Sequence, residues 1–205
     1  MKHLNCILAT LTLASSGSIY GKSPSLHLPK LANGDKPRNV VFILSDDHRY
    51  DYMGFIGKVP WLKTPNLDRM AAEGIYIKNA FVTTSLCSPS RASILTGLYS
   101  HTHKVVDNSA PLPEGLTFFP QYLQKAGYQT SFFGKWHMGN DSGDPQPGFD
   151  QWEGFKGQGE YYNPRINING VWNQYKDSVY STDLLTEHAI KFMKKQVEAK
   201  KHFFV

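Results

Sequence analysis

Two adjacent carboxylates, Asp46 and Asp47, are the first residues along the chain whose types and spacing suit catalysis. Neighbouring carboxylates repel each other unless a cation or hydrogen-bond donors compensate their charge. Their oxygens are suitable ligands for a hard cation such as Ca²⁺ or Mg²⁺. Aspartates are also common in turns and at helix caps, so the pair taken alone does not establish a metal site.

The stretch Cys87-Ser-Pro-Ser-Arg91 lies where a predicted helix begins. The positive end of the helix dipole would stabilise a negative charge on the Cys87 sulfur. Arg91 lies one turn into the same helix, where its guanidinium could bind an oxyanion through two donors. A lone cysteine at such a junction is usually a buried, inert residue, and that interpretation stays open for the isolated motif.

The third cluster, Lys135-Trp-His137, follows a predicted strand. If the extended conformation continues, alternation places Lys135 and His137 on the same side of the chain. A lysine supplies a compact positive charge for an anion, and a histidine can move a proton near neutral pH. A solvated lysine and a packed histidine at a strand end would explain the same residues.

The joint placement of the three clusters carries more weight than any one of them. Each cluster follows a predicted strand, and the carboxyl ends of parallel strands meet at one edge of a sheet, where ligands bind. A cation site, a polarised nucleophile and cationic groups for an anion would then be assembled together. This combination indicates hydrolysis of a sulfate or phosphate ester.

The elements that must position these residues alternate between strand and helix. Apolar, β-branched runs predict strands at residues 39–45, 75–82, 128–133 and 202–205. Caps and glycine stops predict helices at residues 65–74, 88–95 and 120–126, and a longer helix from residue 181. Residues 141–180 are rich in Gly, Pro, Asn and aromatics, which predicts a long ordered loop. The alternation predicts an α/β fold with a mostly parallel sheet flanked by helices.

Composition and the N-terminal segment limit the class of protein. Hydrophobic residues make up 40% of the chain and charged residues 19%, enough apolar material to exclude wholesale disorder. The net charge of +5 comes from scattered lysines and arginines, so no nucleic-acid partner is expected. Residues 1–20 have the pattern of a cleaved signal peptide, too short to span a membrane, and residues 21–38 form a linker. We therefore expect a secreted or periplasmic protein without a membrane span.

The motifs around these residues resemble those of a known family. The stretch Cys87 to Arg91, continued by Ala-Ser-Ile-Leu-Thr-Gly97, resembles the signature of the type I sulfatases. Residues 39–47, 64–68 and 134–139 resemble further segments of that family in the same order. Residues 149–155 and 157–164 resemble a segment of carbohydrate sulfatases, including the N-acetylglucosamine-6-sulfatase-like branch. The resemblance covers residues 39–205 and implies the N-terminal part of an alkaline-phosphatase-like catalytic domain.

The resemblance also implies cofactors and residue roles. Cys87 would be converted to formylglycine by a formylglycine-generating enzyme, and the hydrated aldehyde would attack sulfur and form a covalent sulfated intermediate. Ca²⁺, or less favourably Mg²⁺, would be bound by Asp46, Asp47 and residue 87. Arg91 would orient the hydrated aldehyde, Lys135 would contact it and the sulfate, and His137 would be the base of the elimination step.

The expected substrate is a sulfated carbohydrate, with four aromatic residues as candidates for stacking on sugar rings: Trp152, Tyr161, Tyr162 and Trp172. Packing of these aromatic side chains onto the domain is an equally good interpretation for most of them. Two alternatives remain, a phosphomonoester or phosphonate hydrolase of the same superfamily and an inactive glycan-binding relative. The chain stops inside an apolar strand, so we expect a longer parent protein that holds the remaining metal and sulfate ligands. The 205-residue chain alone is expected to be inactive.

Overall fold

A five-stranded sheet organises the computed structural model, which describes residues 36–140 and 142–205. The strands are β1 (Gln129–Lys135), β2 (Gln151–Phe155), β3 (Arg165–Ile168), β4 (Val171–Gln174) and β5 (Phe203–Phe204), in the order β4-β3-β2-β1-β5. Strand β1 is parallel to both of its neighbours, whereas β2, β3 and β4 pair in antiparallel fashion. The sheet is therefore mixed, with its parallel part around β1.

The α-helices of the described residues are α1 (Pro65–Glu73), α2 (Cys87–Thr96), α3 (Ser100–His103), α4 (Phe119–Lys125) and α5 (Ser181–Glu198). Four of these five helices occur where the sequence predicts them, and the short helix α3 is not predicted. Helix α2 ends at Gly97, whose left-handed φ of 70° is easily adopted only without a Cβ atom. On α5 the buried residues include Phe192 and Gln196, while Val197 is exposed.

An aromatic cluster forms the core between the sheet and the helices. Trp136 and Trp152 are both almost fully buried, and the Phe132 ring stacks on Trp152 with centroids 4.5 Å apart. Phe118 meets Trp136 edge-on at 5.2 Å. Offset and edge-to-face contacts of this kind are the favoured arrangements of aromatic rings. The cluster supports the end of β1, from which the polar residues of the site project.

The prediction of a long loop at residues 141–180 is wrong, because this region contains β2, β3 and β4. The β3–β4 hairpin turns at Asn169-Gly170, where both residues have positive φ values of 49° and 94°. Asn-Gly is the strongest short hairpin signal, since both residues tolerate the left-handed conformation. The many glycines and asparagines give this region the composition of a loop, although it contains three short strands.

Two predicted strands differ from the observed structure. Residues 39–45 run beside β5, with Val40 N–H donating to the Phe203 carbonyl at 2.9 Å, but their apolar side chains are largely exposed. Residues 75–82 form no strand, and Ile75 and Phe81 are 91% and 90% exposed. Within the described residues no neighbouring strand pairs with residues 75–82, and a strand needs a paired neighbour to satisfy its backbone.

The predicted signal segment, residues 1–20, and nearly all of the predicted linker, residues 21–38, lie outside the described residues. Pro37–Val205 form one compact unit. Among the described helices none is both long and apolar enough to cross a membrane.

Candidate active site

The start of helix α2 is fixed by its neighbours, and this fixes Cys87, the first residue of the helix. Ser88 is fully buried, its backbone N–H donates to Asn108 Oδ1 at 2.9 Å, and its hydroxyl donates to the His137 carbonyl. Leu86, before the helix, is extended. Two separate loops thus anchor the helix N-terminus, and Cys87 has little freedom to move relative to β1.

Lys135 is the last residue of β1, and its ammonium lies against Cys87. Its Nζ donates to Asp46 Oδ2 at 2.6 Å, to Gln158 Oε1 at 2.6 Å and to Cys87 Sγ at 3.4 Å. The side chain is only 10% exposed. An ammonium has three protons, so these contacts use all of its donors.

Arg91 joins the same cluster from one turn along α2. One guanidinium nitrogen donates to Asp46 Oδ2 at 2.9 Å, and another donates to the backbone carbonyl of Lys135. The side chain is 12% exposed. Arg91 therefore ties α2 both to the end of β1 and to the segment that follows the first extended stretch.

Asp46 is the anion between these two cations. The hydrogen bond from Lys135 lowers the pKa of the Asp46 carboxyl below its ordinary value, burial opposes this, and the charges of Lys135 and Arg91 lower it further. Asp46 is therefore ionised at neutral pH. Two positive side chains and one carboxylate leave a net charge of +1 beside Cys87, which favours an anionic ligand.

The structure brings together four of the six predicted site residues: Asp46, Cys87, Arg91 and Lys135. Asp47 is next to Asp46 along the chain, but it is exposed and its backbone is left-handed, with φ 51°. His137 also has φ 51°, so the extended conformation that would place it on the same side as Lys135 ends before it. Its carbonyl still contacts Ser88 at the start of α2.

The family resemblance implies a metal ion, and the side chains near Cys87 can be compared with the ligands that such an ion requires. Asp46 is an ionised carboxylate and Asp47 is its neighbour along the chain, so the oxygen donors suit a hard cation. Both hydrogen bonds to Asp46 use Oδ2. In residues 36–140 and 142–205, however, no three His, Cys, Asp or Glu side chains are grouped closely enough to hold a metal. These residues could supply part of a cation site, and a complete one needs further ligands.

Two residues of the site are absent from the sequence-based predictions. Gln158 binds Lys135, and Asn108 binds the Ser88 N–H at the start of α2. The signal that could have found Gln158 is its pair of flanking glycines, Gly157 and Gly159, with φ values of 63° and 72°. No comparable signal marks Asn108, because its role depends on a contact twenty residues away along the chain.

The four aromatic residues predicted to stack on sugars lie in different environments. The assignment of Trp152 is wrong, because it is 1% exposed and belongs to the core. Trp172 is covered on one face by the Arg165 guanidinium, 4.9 Å from the ring centroid. Tyr161 and Tyr162 are 75% and 62% exposed, in the loop that also carries Gln158. Only these two tyrosines combine wide exposure with a place near the candidate site along the chain.

Comparison with known protein families and curated sequences gives a consistent result. The family model described as Sulfatase matches residues 38–205. The chain is 38% identical over 192 residues to an N-acetylglucosamine-6-O-sulfatase of Bacteroides thetaiotaomicron, with 91% of this chain and 31% of that protein covered. It is 35% identical over 177 residues to arylsulfatase J of Mus musculus, with 75% and 29% covered. The chain thus spans less than a third of either relative's length.

Comparison with solved structures agrees with the sequence comparison. A protein solved in complex with its substrate D-glucosamine-2-N,6-O-disulfate is 38% identical, with a TM-score of 0.74 over 82% of this chain and 33% of that one. A phosphonate monoester hydrolase of Agrobacterium radiobacter is 30% identical, with a TM-score of 0.51 over 60% of this chain and 27% of that one. The first similarity covers more of the chain and is the stronger of the two.

Proposed function

The chain belongs to the sulfatase family, and from this premise we propose that the whole protein hydrolyses sulfate esters on carbohydrates. The predicted alkaline-phosphatase-like α/β fold is confirmed by the solved relatives. Membership of the family does not by itself identify the ester that is cleaved, because one fold supports several chemistries. The residues around Cys87 therefore carry the argument.

The observation that carries the proposal is the convergence of Lys135, Arg91 and Asp46 on Cys87. The Lys135 ammonium is 3.4 Å from the sulfur, and the three charged side chains sum to +1. A sulfate ester is an anion, so it gains from a net positive site that is already organised before it binds. Because both cations are mostly buried, their attraction for an anion is less screened than at an exposed surface.

Each residue of the site has a defined role in the proposed reaction. Conversion of Cys87 to formylglycine by a formylglycine-generating enzyme would supply, in its hydrated form, the oxygen nucleophile. Lys135 attracts the sulfate group through its positive charge, and Arg91 keeps the start of α2 oriented toward the end of β1. His137, two residues after the end of β1, is proposed to hold the proton that the hydrated group releases.

We propose Ca²⁺ as the metal, held by the Asp46 and Asp47 carboxylates and by residue 87 together with ligands from elsewhere in the protein. When bound, such an ion would neutralise charge on the ester oxygens. The Arg91 and Lys135 contacts hold Asp46 ionised, which is the form that binds a cation. Mg²⁺ is less favourable, because it demands stricter octahedral geometry.

The proposed substrate is a sulfated amino sugar. This choice is supported by the relative named N-acetylglucosamine-6-O-sulfatase and by the solved relative bound to a glucosamine disulfate. Tyr161 and Tyr162 are exposed aromatic residues available to contact a sugar ring. The signal-like first twenty residues support a secreted or periplasmic location.

A phosphonate or phosphomonoester hydrolase is the second candidate, favoured by the structural similarity to the phosphonate monoester hydrolase. A net positive site attracts phosphate and sulfate esters alike. A phosphate monoester carries close to two negative charges at neutral pH, whereas a phosphonate monoester and a sulfate ester each carry one. The sulfate ester is favoured because the similarity to the N-acetylglucosamine-6-O-sulfatase is greater and covers more of this chain than the similarity to the phosphonate monoester hydrolase.

The test uses the full-length protein produced together with a formylglycine-generating enzyme. We expect kcat/KM for N-acetylglucosamine 6-sulfate to exceed that for the 6-phosphate, and Cys87→Ala to abolish turnover. Ser85→Ala, a matched change at an exposed position two residues earlier, should keep the activity. Preference for the phosphate would establish the second candidate instead. Glycan binding without turnover, unchanged in Cys87→Ala, would identify an inactive glycan-binding protein.

A further inference from the structure

Lys135 is held by acceptors from three different parts of the chain. Asp46 follows the first extended stretch, Cys87 begins α2, and Gln158 lies in the loop between β2 and β3. Asp46 carries a charge that compensates the ammonium, and Cys87 is the proposed nucleophile position. Gln158 is neutral and has no such role, yet its contact at 2.6 Å is as short as the contact with the carboxylate.

The loop that carries Gln158 is built to hold it in place. Gly157 and Gly159 on either side adopt left-handed φ values of 63° and 72°, which a side chain would make unfavourable. A Cβ atom at Gly159 would lie 2.6 Å from the Phe155 ring, so the backbone folds directly onto that ring. Although Gln158 itself is exposed, its backbone is therefore fixed by its neighbours, and its amide is directed to the end of β1.

We propose that Gln158 is a positioning residue that orients the Lys135 ammonium toward residue 87. This inference rests on the proposed function, because Lys135 is there assigned to the sulfate. An amide oxygen accepts a hydrogen bond without cancelling the positive charge of its donor. Gln158 thus restricts the rotation of the ammonium and leaves its charge available to the sulfate ester. A carboxylate in the same place would restrict the rotation but would compete with the ester for Lys135.

Two substitutions separate orientation from charge. Gln158→Leu removes the acceptor, and we expect it to lower kcat about tenfold, with KM changed less, because the ammonium keeps its charge but loses its alignment. Gln158→Glu keeps an acceptor but adds a negative charge, and we expect it to raise KM about tenfold or more with a smaller change in kcat. The double variant Gln158→Glu/Glu160→Gln restores the net charge of the loop. It should retain the raised KM, because Glu160 is exposed and has no contact with Lys135 among the described residues.

A chemical measurement tests the same contact without turnover. Acylation of full-length protein by a small amine-directed reagent is followed by mass spectrometry at Lys135, with the exposed Lys125 as internal reference. We expect Gln158→Leu to raise the rate at Lys135 several-fold and to leave Lys125 unchanged, since one of the three restraints on the ammonium is gone.

The outcomes separate this proposal from the proposed function. Kinetic constants for both variants within twofold of the parent, with an unchanged acylation rate at Lys135, would overturn the role of Gln158 in an active sulfatase. A parent protein that cleaves no sulfate ester would refute the proposed function. The acylation rates alone would then show whether Gln158 restrains the Lys135 ammonium. Acceleration at Lys135 and Lys125 together would indicate general loosening of the fold and would also count against the proposal.

Discussion

A buried histidine beside the site provides a quantitative test of how α2 is held. His103 is fully buried, its Nδ1 accepts from the Val105 backbone N–H at 3.1 Å, and its Nε2 lies 2.9 Å from Ser93 Oγ. Because Nδ1 is an acceptor, the proton is on Nε2 and is donated to Ser93. Ser93 belongs to α2, the helix that begins at Cys87. His103 therefore restrains the helix that presents the proposed nucleophile.

Protonation of His103 should destabilise the folded chain. Burial lowers the pKa of His103 below its ordinary value, so between about pH 6.5 and the lowered value the unfolded chain binds a proton that the folded chain does not. The contribution of neutral His103 to the free energy of unfolding is therefore fully present above about pH 6.5, and it is lost as the pH decreases through this window. The contribution of one group has a limiting slope of about 1.4 kcal/mol per pH unit.

The perturbation is His103→Gln, which cannot titrate and keeps a donor for Ser93, but offers no acceptor placed like Nδ1 for the Val105 N–H. An unsatisfied buried N–H costs about 1–3 kcal/mol, so we expect the free energy of unfolding at pH 8 to fall by that amount.

Denaturant unfolding at pH 8 and pH 5.5 measures both the loss of stability and its pH dependence. The difference between the two pH values should be smaller in His103→Gln than in the parent. Thr102→Ala, an exposed change on the same short helix that removes no titratable group, should leave that difference unaltered. An equal pH dependence in parent and His103→Gln would refute the assignment of the buried neutral histidine.

Two further substitutions test the site and the core. Arg91→Lys keeps the charge but cannot reach both acceptors, Asp46 and the Lys135 carbonyl. The loss of one charged hydrogen bond, about 1.5–3 kcal/mol, should lower kcat/KM of the full-length protein about 10- to 100-fold, and a change within twofold would contradict this. Gly154→Ala places a Cβ atom 2.6 Å from the Trp152 ring nitrogen. Such overpacking should lower the free energy of unfolding by about 1–3 kcal/mol, and a neutral result in denaturant unfolding would show that the indole ring can move aside.

The sequence predicts best what depends on local signals. Thr64-Pro65 and Gly74 delimit α1, and Gly97 ends α2, because caps and stops act through the backbone of a few neighbouring residues. The gathering of Asp46 and Lys135 is predicted from the rule that strand ends meet at one edge. That rule is topological and does not need the details of packing.

What depends on distant contacts is not predictable in this way. Gln158 reaches Lys135 only because the β2–β3 loop folds onto the Phe155 ring. The left-handed backbone at His137 ends the alternation that the strand pattern predicts. Trp152 has the residue type of a sugar-stacking platform, and only the packing of the sheet shows that it belongs to the core. For Gln158 and Trp152 the deciding partners are distant in the sequence: Lys135 lies 23 residues before Gln158, and Phe132, which stacks on Trp152, lies in the neighbouring strand β1.

The central claim, that Cys87 becomes the nucleophile of a sulfate ester hydrolase, is tested most directly by the mass of one peptide. Trypsin cleaves after Lys78 and Arg91 and releases residues 79–91. In active full-length protein from its native host, we expect this peptide with one oxygen in place of the Cys87 sulfur and two hydrogens. Only the intact thiol, found in a preparation that turns over a sulfate ester, would contradict the claim.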